Sequence, residues 1–281
     1  MQTATLIPPA GRPSLPVHLA RALRAVVGRE IGRFLRQPSR LGSALVRPLL
    51  WFVVFSAGFH NVFGVAIVPP YETYIEYKVY MVPGLLGMVA LFNGMQSSLS
   101  MVYDREMGVM RLLLTAPLAR GWLLAFKLLA GTCLSVLQMV VFLAISWAFG
   151  VEIPLLHLPG LLVAMACGAT LLAALGLMLS VYVKQLENFA GTMNFVIFPM
   201  FFISPALYPL WKLEESGAVW LLNLAEFNPF THAVEAMRFA MYGQFNALSW
   251  TVVVGCSIVF FVLALWGYDP QRGWIRQKGG A

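Results

Sequence analysis

Charged side chains are sparse in this sequence, and one short stretch mixes both signs among apolar residues. Residues 102–122 read VYDREMGVMRLLLTAPLARGW, so Asp104, Arg105, Glu106, Arg111 and Arg120 stand among Met, Val and Leu, with long apolar runs on either side. Nothing in the stretch pairs a nucleophile with a base or groups metal ligands. What the pattern can do is bind: apolar area framed by charges of both signs can seat in a groove and fix its register there.

Covalent chemistry is poorly provided for elsewhere. The sequence contains no G-x-x-x-x-G-K-[ST] phosphate loop, no H-E-x-x-H zinc site and no G-x-S-x-G nucleophile turn. We therefore expect a chain that is not an enzyme, with no ATPase site and no cofactor or metal of its own. His18, His60, His157 and His232 are scattered along the chain, which argues against metal ligation. His232 and Glu235 fall three residues apart, but without a second pair they read as a solvated helix face. Cys133, Cys167 and Cys256 all lie in apolar runs, and an odd set there reads as packing rather than as a disulfide framework.

The elements that position the 102–122 stretch must be membrane elements. Of 281 residues 59% are hydrophobic and 11% charged, with a mean hydropathy of +0.77. A soluble domain carries roughly 25% charged residues, so this chain could not cover a globule with polar surface. The net charge of +7 then reads as a topology signal rather than a nucleic-acid patch. The first 16 residues, MQTATLIPPAGRPSLP, hold four prolines and no apolar core of signal-peptide length, so the first span is expected to direct its own insertion.

A span needs about 20 mostly apolar residues. Six candidates fit, at about 46–65, 80–102, 122–149, 158–182, 189–208 and 248–268. Pro83 in the second and Pro199 and Pro205 in the fifth mark kinks. With both termini cytoplasmic, the inner segments and Lys127 at the edge of the third span hold 16 of the 19 basic residues. Only Lys78, Lys212 and Arg238 fall outside, beside seven glutamates. That asymmetry sets the orientation. It predicts an all-α integral membrane protein organised as a cytoplasmic segment 1–43, a six-span domain 44–268 and a cytoplasmic tail 269–281. The 103–121 loop and the 183–188 turn, VKQLEN, then face the cytoplasm.

Two flanking elements complete the plan. In residues 17–36, Leu19, Leu23, Val26, Val27, Ile31, Phe34 and Leu35 recur at helical spacing between arginines, and Pro38 follows. This predicts a basic amphipathic helix on the inner leaflet; a helix packed on the protein's own spans fits the same pattern. The outer segment 209–247 predicts half-depth helices. In it Asn228 suits an N-cap, Pro229 a first position and Gly243 an end, with a second short helix over about 213–223.

No Asp, Glu, Lys or Arg falls at the middle of a proposed span, which speaks against a proton-driven carrier. Asn93, Gln96, Gln138 and Asn194 within spans are expected to hydrogen-bond between helices. For the cytoplasmic loop, DREMGVMRLLLT can form a short helix that ends before Pro117, with Met107, Val109, Met110, Leu113 and Leu114 as its apolar side. Docking of a soluble partner and a helix resting on the inner leaflet fit this pattern equally well.

A resemblance separates the two. Glu106, Gly108, Leu113, Leu114, Thr115 and Pro117, followed by Arg120 and a long span, resemble the membrane permease of ATP-binding-cassette exporters of the second type. That group exports drugs, nodulation-factor lipo-oligosaccharides and polysaccharides. FFISPALYPL at 201–210 and NPFTHAVEAMR at 228–238 resemble its late segments, in the same order, and the likeness covers about residues 20–268. The resemblance implies a dimer of six-span permeases in the bacterial inner membrane, each docked on a separate ATPase subunit that binds ATP and Mg. It implies a coupling helix formed here by Arg105, Glu106, Gly108, Met110, Arg111 and Leu114, with the 183–188 turn as a second contact. Hydrophobic or lipid-linked cargo would be exported. An ATPase-independent carrier, channel or assembly scaffold is the competing reading.

Aromatic residues are the pathway candidates. Trp51, Phe52, Phe55 and Phe59 stripe the first span, and Phe195, Phe198 and Phe202 stripe the fifth, with Tyr208 near the outer end. Such rings can stack on sugars or slide along an acyl chain; they are also typical lipid-facing belt residues.

Overall fold

The computed structural model describes residues 15–36, 38–58, 69–71, 75–107, 120–183 and 185–268. Among them every regular element is a helix. The order is α1 (Leu15–Leu35), α2 (Pro38–Gly58), α3 (Tyr77–Glu106), α4 (Arg120–Ala148), a single 3-10 turn (Leu155–His157), α5 (Leu158–Tyr182), α6 (Leu186–Phe202), α7 (Trp211–Glu215), α8 (Val219–Phe227), α9 (Pro229–Met241) and α10 (Ala247–Gly267).

Among the described residues, four stretches are long and apolar enough to cross a bilayer: Tyr77–Tyr103, Gly121–Ala148, Leu155–Tyr182 and Ala247–Gly267. Ala44–Gly58 within α2 is apolar but shorter. α6 has 17 residues, about 26 Å at 1.5 Å per residue, a little less than roughly 30 Å of hydrocarbon. It stops at Phe202, short of the expected 208, because Ser204 precedes Pro205 and is disfavoured in helical geometry. α3 is the opposite case. Its 30 residues extend about 45 Å, so one end must project beyond the hydrocarbon.

α5 is the hub, packing against α3, α10, α4 and α9. Its side chains are small or aliphatic on every face, which is why it can be buried nearly all round. The closest crossing is with α3. A side chain at Gly94 would come within 2.9 Å of the Ala173 backbone nitrogen, and one at Gly176 within 2.8 Å of the Gly94 carbonyl oxygen. Two glycines facing each other let the backbones meet, as small residues do in membrane helix pairs.

α1 packs mainly on α4, with Phe34 buried. This contact matches the second of the two expectations for the amphipathic helix, packing on the protein's own spans. In the outer segment, the single helix expected over about 213–223 is two. Gly217 at φ +74° reverses the chain between α7 and α8. α9 begins and ends where the sequence signals: Asn228 is its N-cap, accepting a hydrogen bond from the Phe230 N–H, and Gly243 follows at φ +70°.

Candidate functional site

Three layers of interactions run along the bundle. The first sits where α3 ends. Glu106 is the last residue of α3, and its Oε1 accepts a hydrogen bond from the backbone N–H of Leu186 at 2.8 Å. Leu186 opens α6, whose N-cap Gln185 makes no capping hydrogen bond with its side chain. The first N–H groups of a helix lack internal partners and carry partial positive charge. A carboxylate from another helix therefore supplies the cap. Glu106 belongs to the predicted coupling stretch and Leu186 to the predicted second contact, so the two predicted segments meet here. Arg105 lies in α3, while Gly108, Met110, Arg111 and Leu114 are outside the described residues.

The second layer is a polar ladder within the bundle. Asn93 Nδ2 donates to Ser135 Oγ at 2.7 Å, and Gln138 Nε2 donates to Asn93 Oδ1 at 3.3 Å. Thr132 and Thr170 hydroxyls lie 3.2 Å apart. These bonds tie α3 to α4 and α4 to α5, as expected for Asn93 and Gln138. Gln96 and Asn194 differ: both are exposed.

The third layer closes the other end. Asn228 Nδ2 donates to the carbonyls of Met200 and Ile203, each at 2.7 Å. These carbonyls lie at the end of α6, where the helix can no longer satisfy them. One amide thus caps the start of α9 and the end of α6 together. Beside it Arg238, 3% exposed, pairs with Glu235, donates to the Pro205 carbonyl at 2.6 Å and stacks over the Tyr80 ring at 4.2 Å. Tyr77 and Tyr80 donate their hydroxyls to the carbonyls of Leu207 and Pro205. Tyr71 lies against Tyr80 and Tyr242, and burial raises its pKa although the Arg238 charge pulls the other way. The solvated face expected around Glu235 is therefore corrected to a buried ion pair. The cause is the 203–207 link, which folds over α9 and removes Arg238 from water.

Of the aromatic candidates, Trp51, Phe55, Phe198 and Phe202 form a continuous group, Phe52 packs instead on Phe142 and Phe149, and Phe59 lies outside the described residues. Trp51 stacks on Phe55 and meets Phe201 and Phe202 edge-on, at centroid distances of 4.8, 6.0 and 5.8 Å. Phe198 stacks on Phe202. Phe195 is 79% exposed, Phe198 and Phe202 also present open surface, and Tyr208 donates to the Phe202 carbonyl at 2.5 Å. Phe201 is the buried member. Missed in sequence reasoning were Asn228's second role and the Arg238 cluster, since both depend on contacts between distant segments. Among the described residues no three His, Cys, Asp or Glu side chains could share a metal ion. Among the described residues the arrangement ties helix ends together and presents apolar surface, and no constellation for bond making is seen.

Comparison with known sequences agrees with this picture. The profile of the ABC-2 type transporter family matches residues 21–242. A protein of Pyropia yezoensis named as a transport permease is 28% identical, with 88% of this chain and 85% of that protein aligned. One of Escherichia coli named as a multidrug ABC transporter permease is 30% identical over 60% of this chain and 45% of its own length. A daunorubicin resistance ABC transporter permease of Streptomyces coeruleorubidus is 26% identical over 80% of this chain and 74% of its own.

Proposed function

From the premise that the chain belongs to the ABC-2 type transporter family, as a membrane permease subunit, we propose that it is the six-span half of an ATP-driven exporter. A separate ATPase subunit holds ATP and Mg, two permease chains form a homodimer, and the cargo is a hydrophobic or lipid-linked molecule leaving the cytoplasm or inner leaflet. Both termini are cytoplasmic and the membrane is the bacterial inner membrane.

The observation that carries the reading is the hydrogen bond from the Leu186 N–H to Glu106. It joins the start of the proposed coupling stretch to the start of α6, the helix that presents Phe195, Phe198 and Phe202. Closure of the ATPase pair pushes the coupling stretch; α3 moves as a rigid rod, because packed helices switch between discrete arrangements rather than bending. The Glu106 tie passes the displacement to α6. At the far end Asn228 holds the end of α6 to α9, and Arg238 holds α9 to the link that follows α6, so the aromatic face shifts as a unit. ATP shifts the equilibrium only by its differential affinity for the two arrangements, which the docked stretch must transmit.

The test is direct. The chain is purified with the ATPase encoded alongside it, and export is followed in inside-out vesicles. With Met110→Asp and Arg111→Glu together, the ATPase is expected to be lost from the purified complex and ATP-dependent uptake to fall to background. Retention of both, or transport by the purified chain with no ATPase present, overturns the proposal.

A further inference from the structure

Beneath α1 lies a cavity of about 60 Å³ between α3 and α4. Its polar lining is Glu30, Asn93, Gln96, Ser97, Ser100 and Gln138, while Phe34 and Leu134 supply apolar wall. The hydrogen bonds around it leave one group unanswered. Gln138 is 2% exposed; its Nε2 is used on Asn93, but its Oε1 has no partner among the described residues. Asn93 donates one amide N–H to Ser135, and Ser100 donates its hydroxyl proton to the Ser97 carbonyl. The Ser100 oxygen keeps its accepting capacity. Gln138 Oε1 is thus the buried acceptor of the lining that remains to be answered among the described residues. A buried amide oxygen without a donor is costly in a low-dielectric interior.

The charge pattern narrows what can answer it. Among the described residues no Lys or Arg lines the cavity, and the Glu30 carboxylate in its wall disfavours a phosphate or carboxylate. Glu30 is already paired with Arg29 at 2.9 Å. Amides and hydroxyls suit a neutral group that donates and accepts at the same atom, which is a hydroxyl. The volume admits a small end-group rather than a whole cargo molecule. Beside the lining residues Leu134 and Gln138, α4 exposes Leu129, Cys133 and Leu137, an apolar stripe along which a hydrocarbon chain can run.

We propose that this cavity binds the neutral hydroxyl-bearing end of a small polyol, carried by a lipid such as a diacylglycerol or free in solution, with Gln138 Oε1 accepting its hydroxyl proton. The site lies on the α1–α3–α4 side of the bundle, away from the aromatic group on α6. It does not depend on the export reading.

The experiment photo-crosslinks the purified full-length chain to a dioleoylglycerol analogue with a diazirine beside the glycerol hydroxyl, and maps the label by peptide mass spectrometry. One label per chain is expected, on peptides holding Ser97 or Gln138, displaced by unlabelled dioleoylglycerol. Dioleoylphosphatidylglycerol, which adds a phosphate, should displace it about tenfold less well; removing the acceptor with Gln138→Leu should lower labelling by a similar factor. Displacement by free glycerol at equal concentration identifies a soluble polyol as the source; displacement by the lipid alone identifies the membrane. Because Gln138→Leu also strips a donor from Asn93, Ser100→Leu serves as a second variant that fills the cavity without touching that pair, and it should abolish labelling. A wild-type chain that takes no label, as a cavity holding only water would, overturns the assignment. So does undiminished labelling in Ser100→Leu, or equal displacement by the anionic lipid.

Discussion

The carboxylate of Glu106 and the backbone N–H of Leu186, 80 residues apart in sequence, are hydrogen-bonded at 2.8 Å. The contact makes one helix end the cap of another. It ties two segments that are 80 residues apart in sequence.

Glu106→Ala therefore uncaps α6. The bond is exposed, so the cost in stability should be small, about 0.5 kcal/mol, at the low end for a lost cap. The functional cost should be larger, because the tie and not the fold is what is lost. We expect a nearly unchanged melting temperature, normal ATPase retention and ATP-dependent uptake reduced several-fold. Glu106→Gln keeps an acceptor and should recover most of the uptake. Equal uptake in Glu106→Ala and wild type would show that α6 is moved by other contacts.

Asn228 offers a cleaner dissection, because its two ends do different work. Asn228→Asp retains the oxygen that caps α9 but loses both bonds from Nδ2 to the Met200 and Ile203 carbonyls. Asn228→Ala loses all three. At about 1 kcal/mol for the cap and about 1 kcal/mol for each remaining bond, the alanine variant should be less stable than the aspartate by about 1 kcal/mol. Thermal unfolding in detergent measures both differences. Equal melting points for the two variants would mean that the α9 cap contributes nothing.

What could be read in advance follows from range. The ends of α9 were legible because Asn228, Pro229 and Gly243 act on backbone within a few residues of themselves. The α3–α4 hydrogen bonds were legible as a class, since an amide in an apolar run must find a partner, although Gln96 shows that the partner need not be another helix. The burial of Arg238 was not legible. A cation in an outer segment reads as solvated, and only the 203–207 link folding back over α9 makes it otherwise. The Glu106 tie was illegible for the same reason: no local pattern announces a cap supplied from another helix. Of the proposed coupling stretch, Gly108, Met110, Arg111 and Leu114 lie outside the described residues.

The Arg238–Glu235 pair should behave as a buried ion pair. Removing one partner leaves the other charge buried and the Pro205 carbonyl without its donor. Arg238→Leu alone is expected to destabilise by about 3–5 kcal/mol. Arg238→Leu combined with Glu235→Leu removes both charges and should be milder than the single change. A double-mutant cycle by thermal unfolding decides it: additive losses would mean the two side chains do not depend on each other.

The aromatic face of α6 separates stability from transport residue by residue. Phe201 is buried against Trp51 and Phe230, so Phe201→Ala should cost about 3–5 kcal/mol and lower the melting temperature sharply. Phe195 and Phe198 are exposed on the same helix, and exposed positions usually tolerate truncation within about 0.5 kcal/mol. If their rings touch cargo, Phe195→Ala and Phe198→Ala should fold and retain the ATPase yet export several-fold more slowly, with losses that differ between cargo molecules because stacking depends on the partner's shape. If their rings face lipid, the same variants should export at the wild-type rate for every cargo. Parallel melting curves and vesicle uptake on these three variants therefore distinguish a pathway wall from a membrane belt, since a belt residue has no means of telling one cargo from another.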